Sequence, residues 1–174
     1  MAILDVLTIP DPRLKQESQP VEQFDSSLRD FVNDLEETMR ISPGGVGIAA
    51  PQVARFDCIV IVDVSCKPKL KSHGRLVLIN PEIIEWQGME KGREGCMSVP
   101  DYTGNVIRAK TIKLKAYDEF GALHHYDCEG YEARAIQHEV DHLEGILFLD
   151  RLVSRRADLF ERKVYQEKSS SKFK

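Results

Sequence analysis

The hexapeptide Gln137-His138-Glu139-Val140-Asp141-His142 constrains this chain more than any other stretch. It reads His-Glu-x-x-His inside a helical pattern that runs from about Tyr131 to Leu143 and stops near Gly145. On an α-helix, residues four apart lie about 40° apart around the axis and one turn apart along it. Both imidazoles can therefore reach a single metal ion. Glu139 lies about 60° from His142 on the same side, placed to take the proton of a water that the metal activates. Two ligands and a base on one rigid helix suit a hydrolytic metal site. The same spacing also fits an amphipathic helix with two surface histidines.

A site of this kind needs a core to hold it. At 174 residues the chain is long enough for one hydrophobic core and too short for two, so residues 1–174 are expected to form a single domain. No apolar run approaches a membrane span. Met1-Ala2-Ile3-Leu4-Asp5 lacks the basic start and apolar centre of an export signal. A cytoplasmic chain is expected, with Cys58, Cys66, Cys96 and Cys128 reduced. None of the four falls in a C-x-x-C spacing, which leaves a zinc ribbon or thioredoxin-like motif without support. A net charge of −4 argues against nucleic-acid binding over the whole surface. Charge is uneven, however. Residues 151–174 hold eight Lys/Arg and three Asp/Glu, a net of +5 that leaves −9 on the remainder. A basic C-terminal helix or tail from about Arg151 on an acidic body hints at a polyanionic partner.

Residues 3–9 alternate loosely, as an edge strand would, up to Pro10-Asp11-Pro12. Asp25 is an expected N-cap for a helix whose apolar stripe is Leu28, Phe31, Val32, Leu35 and Met39, ending before Ser42. Gly44 to Gln52 is rich in small residues and fits neither a dinucleotide fingerprint nor a phosphate loop; a tight turn entering a strand accounts for it. Cys58–Val64 reads as a buried strand. Leu76–Ile79 reads as another, broken at Asn80-Pro81 and resumed at residues 83–86. Gly88–Gly95 reads as a charged loop that delivers Cys96. Lys110–Tyr117 and Ala122–Tyr126 form an expected hairpin around Asp118–Gly121. Ile146–Leu149 is expected as a short strand or core segment, and residues 157–167 as a last helix. Strands in runs with helices at the ends imply an α+β fold: mostly antiparallel strands around a central helix carrying the motif, plus a C-terminal helix.

A catalytic ion of this kind takes a third protein ligand and keeps one position open. Downstream of His142 there is no further histidine, and Glu144 is too near. Upstream stand the cysteines, His124, His125 and several carboxylates. Spacing alone does not choose. Cys96, between Gly95 and Pro100, is the most attractive and Cys128 its rival.

Three segments together resemble the peptide deformylases: Gly45-Val46-Gly47-Ile48-Ala49-Ala50-Pro51-Gln52, Glu94-Gly95-Cys96-Met97-Ser98, and Gln137 to His142. Val6 to Leu14 resembles the family's opening, so the similarity reaches to about Arg151. Each motif alone is modest; the three in this order are specific. The resemblance implies removal of the formyl group from the initiator methionine of new bacterial chains. It implies Cys96, His138 and His142 as ligands of one divalent metal, Fe²⁺ first, with Zn²⁺, Ni²⁺ or Co²⁺ also suited. Glu139 would be the proton carrier. The Gln52 side-chain amide and the Met97 backbone N–H would stabilise the oxyanion. The backbone of Gly45, Val46 and Gly47 would pair with the substrate like a strand. Val46, Tyr131 and Ala135 would line the methionine pocket. Glu94 and Arg108 are expected as a supporting ion pair. The expected partners are formyl-methionyl nascent peptides and, through the basic C-terminal segment, ribosomal RNA. The chain departs from the family at Thr103 (often Arg), Ile107 (often Pro) and Ala54 (often Gly). An endopeptidase using the same water activation, and a binding module with a closed structural metal site, are the competing readings of the motif.

Overall fold

The computed structural model describes residues 2–162. Its elements in chain order are α1 (Ser26–Ile41), β1 (Gly47–Ala49), β2 (Ile59–Val62), β3 (Leu76–Gln87), β4 (Glu90–Cys96), β5 (Val99–Arg108), β6 (Thr111–Tyr117), β7 (Leu123–Glu129), α2 (Gly130–Leu143) and β8 (Leu159–Glu161). All pairings between these strands are antiparallel. They form a five-stranded sheet in the order β1-β2-β3-β6-β7 and a three-stranded sheet in the order β4-β5-β8. This is the α+β arrangement expected from the sequence.

The period-two alternation of the strands explains how both helices find a partner. Ile48, Ile59, Ile61, Val77 and Ile79 pack with the α1 stripe of Leu28, Val32, Leu35 and Met39. The alternate residues, Ala49, Val60, Val62, Leu76 and Leu78, pack with Ala133, Ala135, Ile136 and Leu143 of α2. The large sheet is thus covered on both faces, which is why β2 is an unbroken apolar run. Asp25 caps α1, its Oδ1 accepting from Leu28 N at 2.9 Å. The helix α2 is buried along most of its length despite carrying Glu132, Arg134, Gln137, Glu139 and Asp141. Gly145, at φ +72°, ends it.

Four expectations are corrected. Residues 3–9 form no strand; they bond to backbone outside both sheets, Leu7 N to Gln52 O of a 3₁₀ turn at 2.7 Å and Ile9 N to Ser98 O at 2.9 Å. The break at Asn80-Pro81 is a bulge within one twelve-residue strand, β3. There Asn80, at φ +51°, uses its side chain to bond both Val21 N and Val21 O. The charged stretch before Cys96 is a strand, not a loop. Its composition misleads because Glu94 belongs to a buried ion network and Gly92 makes room for the Arg134 guanidinium. Finally, residues 159–161 are a strand and not part of a helix: the edge of β5 takes up Leu159, Phe160 and Glu161 opposite Gly104, Thr103 and Tyr102. Arg93 lies over the Phe160 ring at 3.6 Å. Residues 157, 158 and 162 are not helical either, and residues 163–167 of the expected last helix, with half of the basic tail, fall outside the described residues. Ile146–Leu149 is a core segment that turns into a short 3₁₀ helix, Phe148–Arg151, with Leu147 and Phe148 buried.

Candidate active site

The β4–β5 hairpin carries Cys96 to α2. Cys96 pairs with Val99 across a turn formed by Met97 and Ser98, after a register shift at Gly95. Its Sγ lies 3.4 Å from His142 Nε2. The ligand atoms of Cys96, His138 and His142 all fall within 4.8 Å of one another, and all three residues are buried. Bonds of about 2.3 Å from sulfur and 2.0 Å from nitrogen to one tetrahedral ion separate the two ligand atoms by about 3.5 Å. The donor set and the spacing both fit a divalent metal.

Glu94 orients the first imidazole: its Oε1 is 2.8 Å from His138 Nδ1, which leaves Nε2 for the cleft. Arg108 binds both oxygens of Glu94, at 3.0 and 2.9 Å, and Arg134 adds a bond of 2.7 Å. Arg108 also donates to Asp141 at 2.6 Å, and Arg151 binds that same carboxylate. The expected Glu94–Arg108 pair is therefore one edge of a larger network. Burial works to raise Glu94, but its bonds to His138 and Arg108 outweigh it and hold the carboxyl far below its usual range. Burial works to lower His138, but its contacts to Cys96 and Glu94 outweigh it and raise the imidazole above its ordinary value; a metal at Nε2 would displace that proton. Burial, together with the nearby cations, keeps His142 neutral, the form a metal ligand needs.

Glu139 is buried, and one of its oxygens, Oε2, has no hydrogen-bond partner among the described residues. Burial raises its carboxyl to about 7. Gly47 of β1 lies against it so closely that a Cβ there would stand 2.7 Å from Glu139 Oε1. Gln52 is fixed by its own Oε1, which accepts from Ala49 N at 2.9 Å. Its Nε2 then points to Cys96 Sγ at 3.5 Å and to Ser98 Oγ at 3.0 Å.

A cavity of about 260 Å³ joins these groups; Gly45, Val46, Gly47, Gln52, Met97 and Glu139 are among the residues lining it, with Cys96, Tyr131 and His138. Ala135, one turn on from Tyr131, is buried in the core cluster and is not among the lining residues. Cys128, the rival ligand, lies elsewhere, beside His73 and Glu132. There His73 Nδ1 and Glu132 Oε1 touch at 2.6 Å. Ligands of one tetrahedral ion stand about 3.3 Å or more apart, so that trio is closed by its own hydrogen bond. None of the four cysteines forms a disulfide. Sequence reasoning missed Arg134, Asp141 and Ser98, and also Arg162, which reaches the cavity from beyond β8. For Arg134 and Asp141 a signal existed: both are charged residues on a helix that must be buried on several sides.

An α+β fold that brings a thiol, two imidazoles and a buried carboxylate to one cleft has the architecture of a metal-dependent hydrolase. The polypeptide deformylase family profile matches residues 3–158. The chain is 44% identical to a peptide deformylase of Nautilia profundicola, over 96% of this chain and 93% of that one. It is 43% identical to a peptide deformylase of Syntrophobacter fumaroxidans, over 94% of each. Its fold matches the crystal structure of a peptide deformylase from Legionella pneumophila with a TM-score of 0.80 at 40% identity, covering 87% of this chain and 86% of that one. The chain belongs to the peptide deformylase family.

Proposed function

We propose that this chain removes the formyl group from the N-terminal formyl-methionine of newly made polypeptides, releasing formate, with Cys96, His138 and His142 holding one divalent ion. The convergence of those three donors with Glu139 and Gln52 in one cleft carries this reading. Thiolate and imidazole suit Fe²⁺, our first choice, as well as Zn²⁺, Ni²⁺ or Co²⁺. Such an ion, when bound, acidifies a water and polarises the formyl oxygen.

The side chains do the rest. Glu139 accepts the proton as the water attacks the formyl carbon and hands one to the leaving amine. Without the ion, burial raises its carboxyl to about 7. A dication beside it pulls that value down, toward the base form. The Gln52 Nε2–H and the Met97 backbone N–H donate to the oxygen that gains charge. The edge strand β1 and the preceding Gly45-Val46 offer backbone for an extended peptide to pair with. The methionine side chain enters beside Val46 and Tyr131, with Ala135 in the wall behind them.

Glu139→Ala tests the assignment. It keeps its metal and loses at least about 100-fold in formate release from formyl-Met-Ala-Ser; substantial turnover in that variant removes Glu139 from the role. An endopeptidase would instead cleave unformylated peptides of the same sequence.

This reading places the chain in a bacterial cytoplasm; no helix among the described residues is long and apolar enough to cross a membrane. The basic segment from Arg151 onward would dock on ribosomal RNA, in a manner that weakens steeply with salt. Arg151 itself is engaged with Asp141, so the docking charge rests on the residues that follow. Co-sedimentation with ribosomes by a chain ending at Arg151, as strong as that of the full chain, would overturn this.

A further inference from the structure

Arg162 reaches the cleft from a part of the chain that no motif marks. Its backbone N–H donates to Asp101 O at 2.8 Å, so the pairing of β8 with β5 sets where the side chain starts. The guanidinium lies against Gly95: a Cβ at that glycine would stand 2.8 Å from Nη2. The space that a side chain at position 95 would need is therefore taken by Arg162. Nη2 reaches Cys96 O at 3.4 Å and Val99 O at 3.5 Å. Both are long for a charged donor, which usually bonds at about 2.7–2.9 Å. Among the described residues no carboxylate pairs with Arg162. Arg108, Arg134 and Arg151, by contrast, each bind a carboxylate at 2.9 Å or less.

Arg162 lines the same cavity as Gly45, Val46, Gln52 and Glu139. A guanidinium carries five donors in a rigid fork, and the contacts named above use them weakly. An extended peptide in this cleft brings a row of main-chain carbonyls, which are the acceptors that such a donor can satisfy. We propose that Arg162 is a substrate-binding residue that donates to a main-chain carbonyl of the peptide beyond the formylated methionine. This rests on the deformylase reading and adds to it a group that senses the length of the peptide and not the formyl group.

Metal-loaded Arg162→Ala and Arg162→Lys, in the full chain, test the proposal against two substrates. Formyl-Met-Ala-Ser has carbonyls downstream of methionine; N-formyl-methioninamide has none. In Arg162→Ala, KM for the tripeptide rises about tenfold, the weight of one hydrogen bond from a charged donor. Its kcat stays within twofold, and the amide substrate is unaffected. Arg162→Lys recovers part of the loss. Binding of the product peptide Met-Ala-Ser, read without turnover, weakens by the same factor in Arg162→Ala. Equal losses on both substrates overturn the proposal, as does unchanged KM with unchanged Met-Ala-Ser binding. Should the alanine variant not fold, Arg162→Gln serves in the same comparison. If the wild type releases no formate at all, the deformylase reading fails, and the Met-Ala-Ser measurement still decides Arg162.

Discussion

Glu94 and His138 are joined by a 2.8 Å hydrogen bond between Oε1 and Nδ1, and two buried arginines hold that carboxylate in place. One side chain thereby does two things. It sets which nitrogen His138 turns to the cleft, and it neutralises Arg108 and Arg134 beneath the site.

Glu94→Gln separates these roles from mere packing, because the amide keeps the shape and loses the charge. Metal affinity should fall about 10–100-fold, measured by competition with a chelator. Unfolding should become easier by about 3–5 kcal/mol, since the buried Arg134 loses its carboxylate and Arg108 is left with Asp141 alone.

Gly47→Ala should act on the chemistry without touching a ligand. The new Cβ stands 2.7 Å from Glu139 Oε1 and 2.9 Å from its Cγ, so the carboxylate must shift. A displacement of about 1 Å in a reacting group can cost about 100-fold. We expect kcat to drop between about 10- and 100-fold with one metal still bound per chain, read by formate release and metal analysis on the same preparation.

Ala54 sits in the left-handed region at φ 62°, ψ 27°. That backbone costs an L-residue about 1–2 kcal/mol, which accounts for the glycine that the family resemblance leads one to expect there. Ala54→Gly relieves the strain but adds freedom to the unfolded chain, worth about 0.5–1 kcal/mol. A net gain of about 0.5–1 kcal/mol in urea unfolding is expected, with activity unchanged.

Much of this is legible in the sequence. The α1 stripe, the Asp25 cap and the 111–129 hairpin follow from periodicity and turn chemistry, because each is decided by neighbours a few residues away. The two histidines and Glu139 are legible for the same reason. Cys96 is legible only as the most attractive of several candidates: its distance to His142 depends on a hairpin whose strands, β4 and β5, carry glycine and charge where β-propensity asks for branched apolar residues. That composition serves the buried network around Glu94, so the signal that hid the strand is the one that supports the site. Gln52 was reached only through family resemblance. Arg162 depends on β8 choosing the edge of β5, a long-range pairing that no local pattern encodes.

The Glu36 carboxylate, between Arg40 and Arg75, ties α1 to the turn that enters β3. Burial opposes its ionisation, but the two arginine hydrogen bonds outweigh this and lower it below its ordinary value. A lowered folded value means that the stabilisation is complete above the unfolded value of about 4.3 and fades as pH falls through the folded one. Glu36→Gln should therefore be less stable than wild type at pH 7, by about 1 kcal/mol or less because both arginines are exposed. The gap should narrow as pH falls below the unfolded value and through the lowered folded one. Thermal unfolding of both proteins across that range checks the sign.

The central claim is that a thiol from the β4–β5 hairpin completes a metal site begun by two histidines on α2. Metal content and formate release, measured together on anaerobically purified wild type and Cys96→Ala, test it most directly. The account predicts about one divalent ion per wild-type chain with formate released from formyl-Met-Ala-Ser, and loss of both in the variant. A Cys96→Ala protein that keeps one ion per chain and releases formate at the wild-type rate would contradict it.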